Sequence, residues 1–80
     1  MARFFFDLHE RGRVVIDHEG VELPDATAAR ANAVHEVRQI MASEVSHGRL
    51  CFACHIEVRD EARNTLFIVA VEDAIVITKS

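Results

Sequence analysis

The segment spanning residues 17–30 constrains the fold of this chain more than any other, because it contains a turn and the start of a helix in immediate succession. Gly20 predicts a turn or bulge before the short stretch 21–23. Pro24 disfavours the α conformation of the residue before it, so a helix should begin just after this proline. Asp25 then stands at the N-cap, where its carboxylate accepts a hydrogen bond from a free amide of the first turn. The segment therefore marks where the chain passes from β structure into a helix.

Two strands are predicted before that helix. Residues 2–9 alternate in character, with Phe4 and Phe6 on the same side, which is the period-2 pattern of a half-buried strand. Residues 10–12 predict a hairpin turn, and the β-branched run within 13–17 predicts the second strand. The chain therefore opens as an antiparallel hairpin.

The predicted helix runs to about Ser46, and Gly48 is placed where a left-handed C-cap is expected. Its apolar residues fall on one stripe at the helical spacing of about 100° per residue. These residues are Ala26, Ala29, Ala33, Val37, Ile40 and Met41.

Arg30 and Glu44 project near the centre of this stripe, where a charge is costly unless it is paired or lies near a helix end. We expect both to reach past the sheet edge to solvent or to a charged partner; in the alternative, Arg30 holds a carboxylate in a polar pocket at the sheet rim.

Two further strands follow the helix. Alternation across residues 51–59 predicts a third strand with one core face, and the polar residues 60–64 predict a turn. Residues 65–71 are apolar on both faces and predict a fourth strand, while 74–78 form a short fifth strand or a docking tail. The sequence therefore predicts one α+β domain over residues 1–80, a ββαββ arrangement whose antiparallel four-stranded sheet carries the helix on one face.

One helix cannot cover both faces of such a sheet, and half of the residues (50%) are hydrophobic. This surplus of apolar surface predicts self-association, and we expect a homodimer. The expected contact surface is the exposed sheet face together with the C-terminal apolar segment. Its candidate residues are Phe5, Val15, Ile75 and Ile77.

Charge and hydropathy exclude several classes of partner. The net charge of −4 and the scattered basic residues argue against nucleic-acid binding, which depends on clustered Lys and Arg. No stretch approaches the roughly 20 apolar residues of a membrane helix, and the apolar start of the chain is broken at Asp7, unlike a signal peptide. We therefore expect a cytoplasmic protein without membrane contact, in which the two cysteines are free thiols.

Several motifs together resemble a family of short bacterial domains of unknown function. They are the start Arg3-Phe4-Phe5-Phe6-Asp7, the helix start Gly20-x-Glu22-Leu23-Pro24-Asp25 with Ala28-Ala29-Arg30 inside the helix, and the later Ile56-Glu57-Val58-x-Asp60. The resemblance covers nearly the whole chain and implies a small stand-alone protein of this fold. It implies no activity, cofactor or catalytic residue.

The run Cys51-x-x-Cys54-His55 departs from that family pattern and is the strongest chemical motif in the chain. Its spacing matches covalent haem attachment, but that chemistry takes place outside the cytoplasm. With His47 it supplies four side chains of the two types, Cys and His, that zinc binds, although a zinc Cys-x-x-Cys pair usually occupies a tight turn. Thiol redox chemistry is a further alternative, without a thioredoxin-like βαβ pattern around the pair. We expect metal candidates, if any, at Cys51, Cys54, His55 and His47.

No arrangement of Ser, Cys, His and acidic residues predicts catalysis. The sequence therefore predicts a protein without catalytic residues or cofactors that acts as a protein-interaction or self-association module. The alternative is a small zinc-dependent or thiol-dependent protein centred on Cys51, Cys54 and His55.

Overall fold

The computed structural model describes residues 1–76 and residue 78. Its elements are, in chain order, β1 (Ala2–Glu10), β2 (Arg13–Val15), β3 (Val21–Leu23), α1 (Ala26–Ser46), β4 (His55–Arg59), β5 (Thr65–Ala70) and α2 (Val71–Ala74).

All strand pairs are antiparallel, and β1 lies at the centre of a five-stranded sheet. β2 pairs with the second half of β1 and β3 pairs with its first half. β4 also pairs with β1, and β5 pairs with β4. The predicted α+β class and antiparallel sheet are confirmed, with the fifth strand contributed by β3.

The helix begins and ends as the sequence predicts. The Asp25 side chain accepts a hydrogen bond from the Ala28 amide at 2.8 Å. Gly48 has a φ of +76°, a left-handed conformation that terminates the helix at little cost because glycine has no Cβ.

One face of α1 packs on the sheet through Ala29, Ala33 and Val37, all buried. The two alanines have short side chains, so the helix lies close to the strands there. The complete buried cluster also includes Phe4, Phe6, Ile56, Val58, Val69, Val71 and Ala74. The predicted core residues of β1 are thus confirmed, whereas Ala26 at the start of the stripe is exposed.

The predicted third strand is four residues too long at its start. Residues 51–54 form a turn, because a disulfide joins Cys51 to Cys54 and holds their Cα atoms 5.6 Å apart. An extended chain would separate these atoms by about 10 Å. β4 therefore begins only at His55.

At the end of the chain, the described residues of the segment 74–78 do not form the alternative fifth strand, and the docking tail stays a prediction. Residues 71–74 form α2, and the Arg38 side chain of α1 donates a hydrogen bond to the Ala74 carbonyl at 2.6 Å. Residues 75, 76 and 78 have no regular structure. Ile77 lies outside the described residues.

The edge of the sheet is interrupted between β2 and β3, where the Asp17 side chain replaces a strand. One carboxylate oxygen accepts a hydrogen bond from the Phe6 amide of β1 at 3.1 Å. The other accepts from the amides of Glu19 and Gly20 at 3.2 Å and 3.0 Å. Asp17 therefore satisfies a β1 amide that a neighbouring strand would otherwise pair, and it also holds two amides of its own loop.

Gly20 and Gly12 form a matched pair for testing how closely this loop approaches β1. Both have positive φ, of +72° and +77°. A Cβ on Gly20 would lie 2.8 Å from the Phe4 carbonyl oxygen, whereas a Cβ on Gly12 would have no neighbour within 4 Å.

Gly12→Ala should lower the free energy of unfolding by about 1–2 kcal/mol, because alanine is disfavoured in the left-handed conformation. Gly20→Ala should cost at least about 1 kcal/mol more, because a backbone atom must move. Urea unfolding of both variants checks this, and equal losses would contradict the close approach.

Candidate functional site

The sheet face opposite α1 carries a group of polar side chains that we call the open-face cluster. It consists of Asp7 and His9 from β1 and His55, Glu57 and Arg59 from β4. These residues alternate along their strands with the core residues, so the pleat directs them to the face without the helix. Strand pairing places Asp7 opposite Glu57 and His9 opposite His55.

Glu57 is the centre of the cluster. Its Oε1 accepts hydrogen bonds from His9 Nε2 at 2.8 Å and from Arg59 at 3.3 Å, while its Oε2 accepts from the Thr65 hydroxyl. The hydrogen bond from Thr65 lowers the pKa of Glu57 most, and the hydrogen bonds from His9 and Arg59 lower it further. Together they outweigh burial, which raises this pKa, and bring it to about 2. Glu57 is therefore a fixed negative charge at neutral pH.

The two histidines stack on each other. Their ring centroids are 4.5 Å apart and their planes differ by 12°. His9 is held by Glu57, and His55 Nδ1 donates a hydrogen bond to the Ala53 carbonyl at 3.2 Å. The stack connects the open-face cluster to the disulfide turn that precedes β4.

Asp7 is completely buried and joins the cluster to the Asp17 loop. Its Oδ1 accepts a hydrogen bond from the Asp17 amide at 2.9 Å, and its Oδ2 lies 3.1 Å from Arg59 Nε. The second contact is an ion pair whose geometry does not meet that of a hydrogen bond. Arg59 thus faces both carboxylates, so the buried charge of Asp7 is compensated.

The cluster is a network in which two carboxylates share one guanidinium. Glu57 is held by Arg59, His9 and Thr65, and Asp7 is held by Arg59 and a backbone amide. Within residues 1–76 and 78, no group of three or more His, Cys, Asp or Glu side chains is arranged to hold a metal ion. The alternation of charged residues along β1 and β4 is the sequence signal for this cluster, but nothing in the sequence indicates that these two strands are neighbours.

The four candidate interface residues occupy different places. Phe5 is only 9% exposed, under the Arg63 guanidinium, which lies 4.3 Å from its ring centroid. Val15 is 47% exposed, but it pairs with Leu8 and so lies on the other face of the sheet from Phe5. Ile75 is half-buried against the core, and Ile77 is outside the described part of the chain. The structure does not bring Phe5, Val15 and Ile75 together, and their role in an interface stays a prediction.

The expectation of two free thiols is wrong, because Cys51 and Cys54 form a disulfide. Cys54 is 4% exposed, whereas Cys51 is half-buried. Sulfur atoms bonded to each other present no thiolate to zinc and no thiol for haem attachment.

The two histidines proposed as zinc ligands have other partners. His47 Nδ1 donates a hydrogen bond to the Ser43 carbonyl at 2.8 Å, at the C-terminus of α1, and His55 stacks on His9. The structure therefore does not assemble Cys51, Cys54, His55 and His47 into a metal site, and the zinc alternative is corrected to a disulfide.

The two charged residues of the helix stripe have different environments. Glu44 is 9% exposed and forms ion pairs with Arg11 and Arg49, as expected for a charge on an apolar face. Arg30 is exposed, with its guanidinium 5.3 Å from the centroid of the Phe67 ring. Arg30 thus packs on an aromatic side chain of β5, a cation–π contact.

An open groove of about 660 Å³ lies between α1 and the Asp17 loop. Its walls include Val15, Ile16 and Ile40, with Glu36 of α1 among them. Burial, and to a smaller extent the charge of Asp17, raise the pKa of Glu36, while a hydrogen bond from Asn32 acts in the opposite direction. The groove is thus apolar with an acidic side.

The lowered pKa of Glu57 predicts a pH dependence of stability. Its contribution to folding is complete above pH 4.5, the usual pKa, and is lost as the pH falls towards about 2. Glu57→Gln should therefore be less stable than the parent protein at neutral pH and should lose less stability across this acidic range. The midpoint of urea unfolding, followed by circular dichroism at a series of pH values, measures this.

The matched control for this prediction is Glu72→Gln, which changes an exposed carboxylate of α2. We expect its pH profile to follow that of the parent protein. A Glu57→Gln profile parallel to the parent profile throughout the acidic range would refute the assignment.

Comparisons with known proteins give one match. The family model described as Domain of unknown function (DUF6894) matches residues 3–72. Neither the curated proteins nor the solved structures contain a match. In the described part of the chain, no helix has the length and apolar character needed to cross a membrane.

Proposed function

Since the chain belongs to the family described as Domain of unknown function (DUF6894) and that description assigns no activity, we propose from the structure that this protein is a self-association module. The proposed contact is between the outer edge of β5 and the same edge of a second copy.

The observation that carries this proposal is the character of β5. It is a six-residue strand, Thr65–Ala70, without a charged residue or a proline. Within the described residues it pairs only with β4, so the backbone groups on its other side have no strand partner. Leu66 and Ile68 are 42% and 50% exposed. The register of β4 and β5 shifts only at the start of β5, opposite Val58 and Arg59. An apolar edge without charge or proline is the kind of strand that pairs with another chain.

The opposite edge of the sheet is less suited to such pairing. It is divided into the short strands β2 and β3, and the Asp17 loop lies between them. It also carries charge, since Arg13 pairs with Glu10 and Glu22 pairs with Arg3. Interruption and charge are the features by which proteins protect an edge strand.

A second copy is the occupant that fits this edge best. Two identical strands related by a twofold axis pair in the antiparallel sense, as all strands of this sheet do. Because β5 carries no charge, its copy can lie beside it without like charges facing each other, even though each chain has a net charge of −4. The pairing would join the two sheets and cover Ile68 on the face opposite α1.

The proposed contact would also bury part of the exposed apolar surface from which the sequence predicted self-association. It places the contact at β5, while the predicted residue Val15 lies on the other edge, in β2. A further protein partner and the cytoplasmic location remain predictions from composition.

The experiment compares Ile68→Lys with the control Val45→Lys, which adds the same charge at a 60% exposed position near the end of α1. Sedimentation equilibrium of the parent protein and of Val45→Lys should give twice the chain mass of 9.0 kDa. Ile68→Lys should give the single-chain mass with an unchanged circular dichroism spectrum, because a lysine on each β5 brings two positive charges together.

Two results would contradict the β5 proposal. A parent protein that sediments as a single chain at all concentrations has no such interface. Loss of the dimer in Val15→Lys but not in Ile68→Lys would move the contact to β2, as the sequence suggested.

A further inference from the structure

The disulfide closes a very short loop. Cys51 and Cys54 are three residues apart, so the chain already keeps them close before the bond forms. The stabilisation that a cross-link gives by restricting the unfolded chain grows with the length of the loop, so this bond restricts little. The main buried cluster is built from other residues of the sheet and the helices. Holding distant parts of the fold together is therefore not the main role of this bond.

The two cysteine residues differ in access to solvent. Cys54 is 4% exposed and lines a small apolar cavity with Leu8, Val37 and Met41, whereas Cys51 is half-buried at the start of the turn. A thiolate arriving from solution therefore reaches Cys51 first. The exposure of one cysteine and the burial of the other define which sulfur is attacked and which one leaves.

The surroundings of the turn favour a thiol partner. Leu50 and Phe52 on either side of Cys51 are 46% and 54% exposed, and they form an apolar surface that a partner could contact. His55 lines the same cavity as Cys54. A histidinium beside a cysteine stabilises its thiolate, which is the form that leaves when the bond breaks.

We propose that the Cys51–Cys54 disulfide is a site of thiol–disulfide exchange with an external dithiol. One thiolate of the dithiol attacks Cys51 Sγ, the bond between Cys51 and Cys54 breaks, and Cys54 Sγ leaves with the electron pair and takes up a proton. The second thiolate of the dithiol then attacks the dithiol sulfur in the mixed disulfide and releases Cys51. The protein gains two electrons and two protons, and the dithiol becomes a disulfide.

The first test uses dithiothreitol on the native protein. Samples are quenched with acid, alkylated and weighed by mass spectrometry, while circular dichroism follows the fold. We expect complete reduction without loss of the folded spectrum, and reoxidation to the same disulfide after the reductant is removed. A bond that opens only at urea concentrations that unfold the protein would be structural, and would overturn the proposal.

The second test identifies the attacked sulfur with single variants and oxidised glutathione. Cys54→Ser leaves Cys51 free, and Cys51→Ser leaves Cys54 free as its matched control. Formation of the mixed disulfide should be at least about tenfold faster in Cys54→Ser, because only Cys51 is accessible. Equal rates in two folded variants, or faster reaction at Cys54, would overturn the assignment. Should either variant fail to fold, the same comparison is made on the reduced parent protein by limited alkylation and peptide mapping.

Discussion

The Asp17 carboxylate is the interaction on which the architecture of the sheet depends. The central strand β1 has backbone hydrogen-bonding groups on both sides, but no strand pairs with its outer side in the interval between β2 and β3. Asp17 fills that interval by accepting from Phe6 and from two amides of its own loop. Its backbone amide in turn donates to the buried Asp7. One residue therefore completes the edge of the sheet with its carboxylate and connects that edge, through its backbone amide, to the polar cluster on the face away from α1.

The two faces of the sheet are stabilised by different physical means. On the helix side, small and branched apolar residues exclude water, with Ala29 and Ala33 allowing a close approach of α1. On the other side, Arg59 contacts the carboxylates of both Asp7 and Glu57, and hydrogen bonds from the Asp17 amide, His9 and Thr65 further offset the cost of burying them. A sheet with a single helix thus covers its second face partly with its own charged side chains.

The sequence predicted local features well and contacts between distant residues poorly. Pro24, Asp25 and Gly48 act through the backbone next to them, so the helix and its caps were predictable from neighbouring residues. The pairing of β1 with β4, which builds the open-face cluster, joins residues far apart in the chain and has no local signature. The disulfide was missed because free thiols were inferred from the expected cytoplasmic location, and because residues 51–54 alternate in the manner of a strand, which would hold the two cysteines apart.

The central position of β1 has a consequence for how the protein is made. The ribosome releases this strand before the other strands of the sheet, but its partner β4 is synthesised only after the whole of α1. Until then, β2 and β3 can pair only one side of β1, and the apolar side chains of Phe4-Phe5-Phe6 stay exposed on the nascent chain. The sheet can therefore be completed only when the last third of the chain has been synthesised. Until then, the segment that later becomes the centre of the sheet is the one most exposed to aggregation.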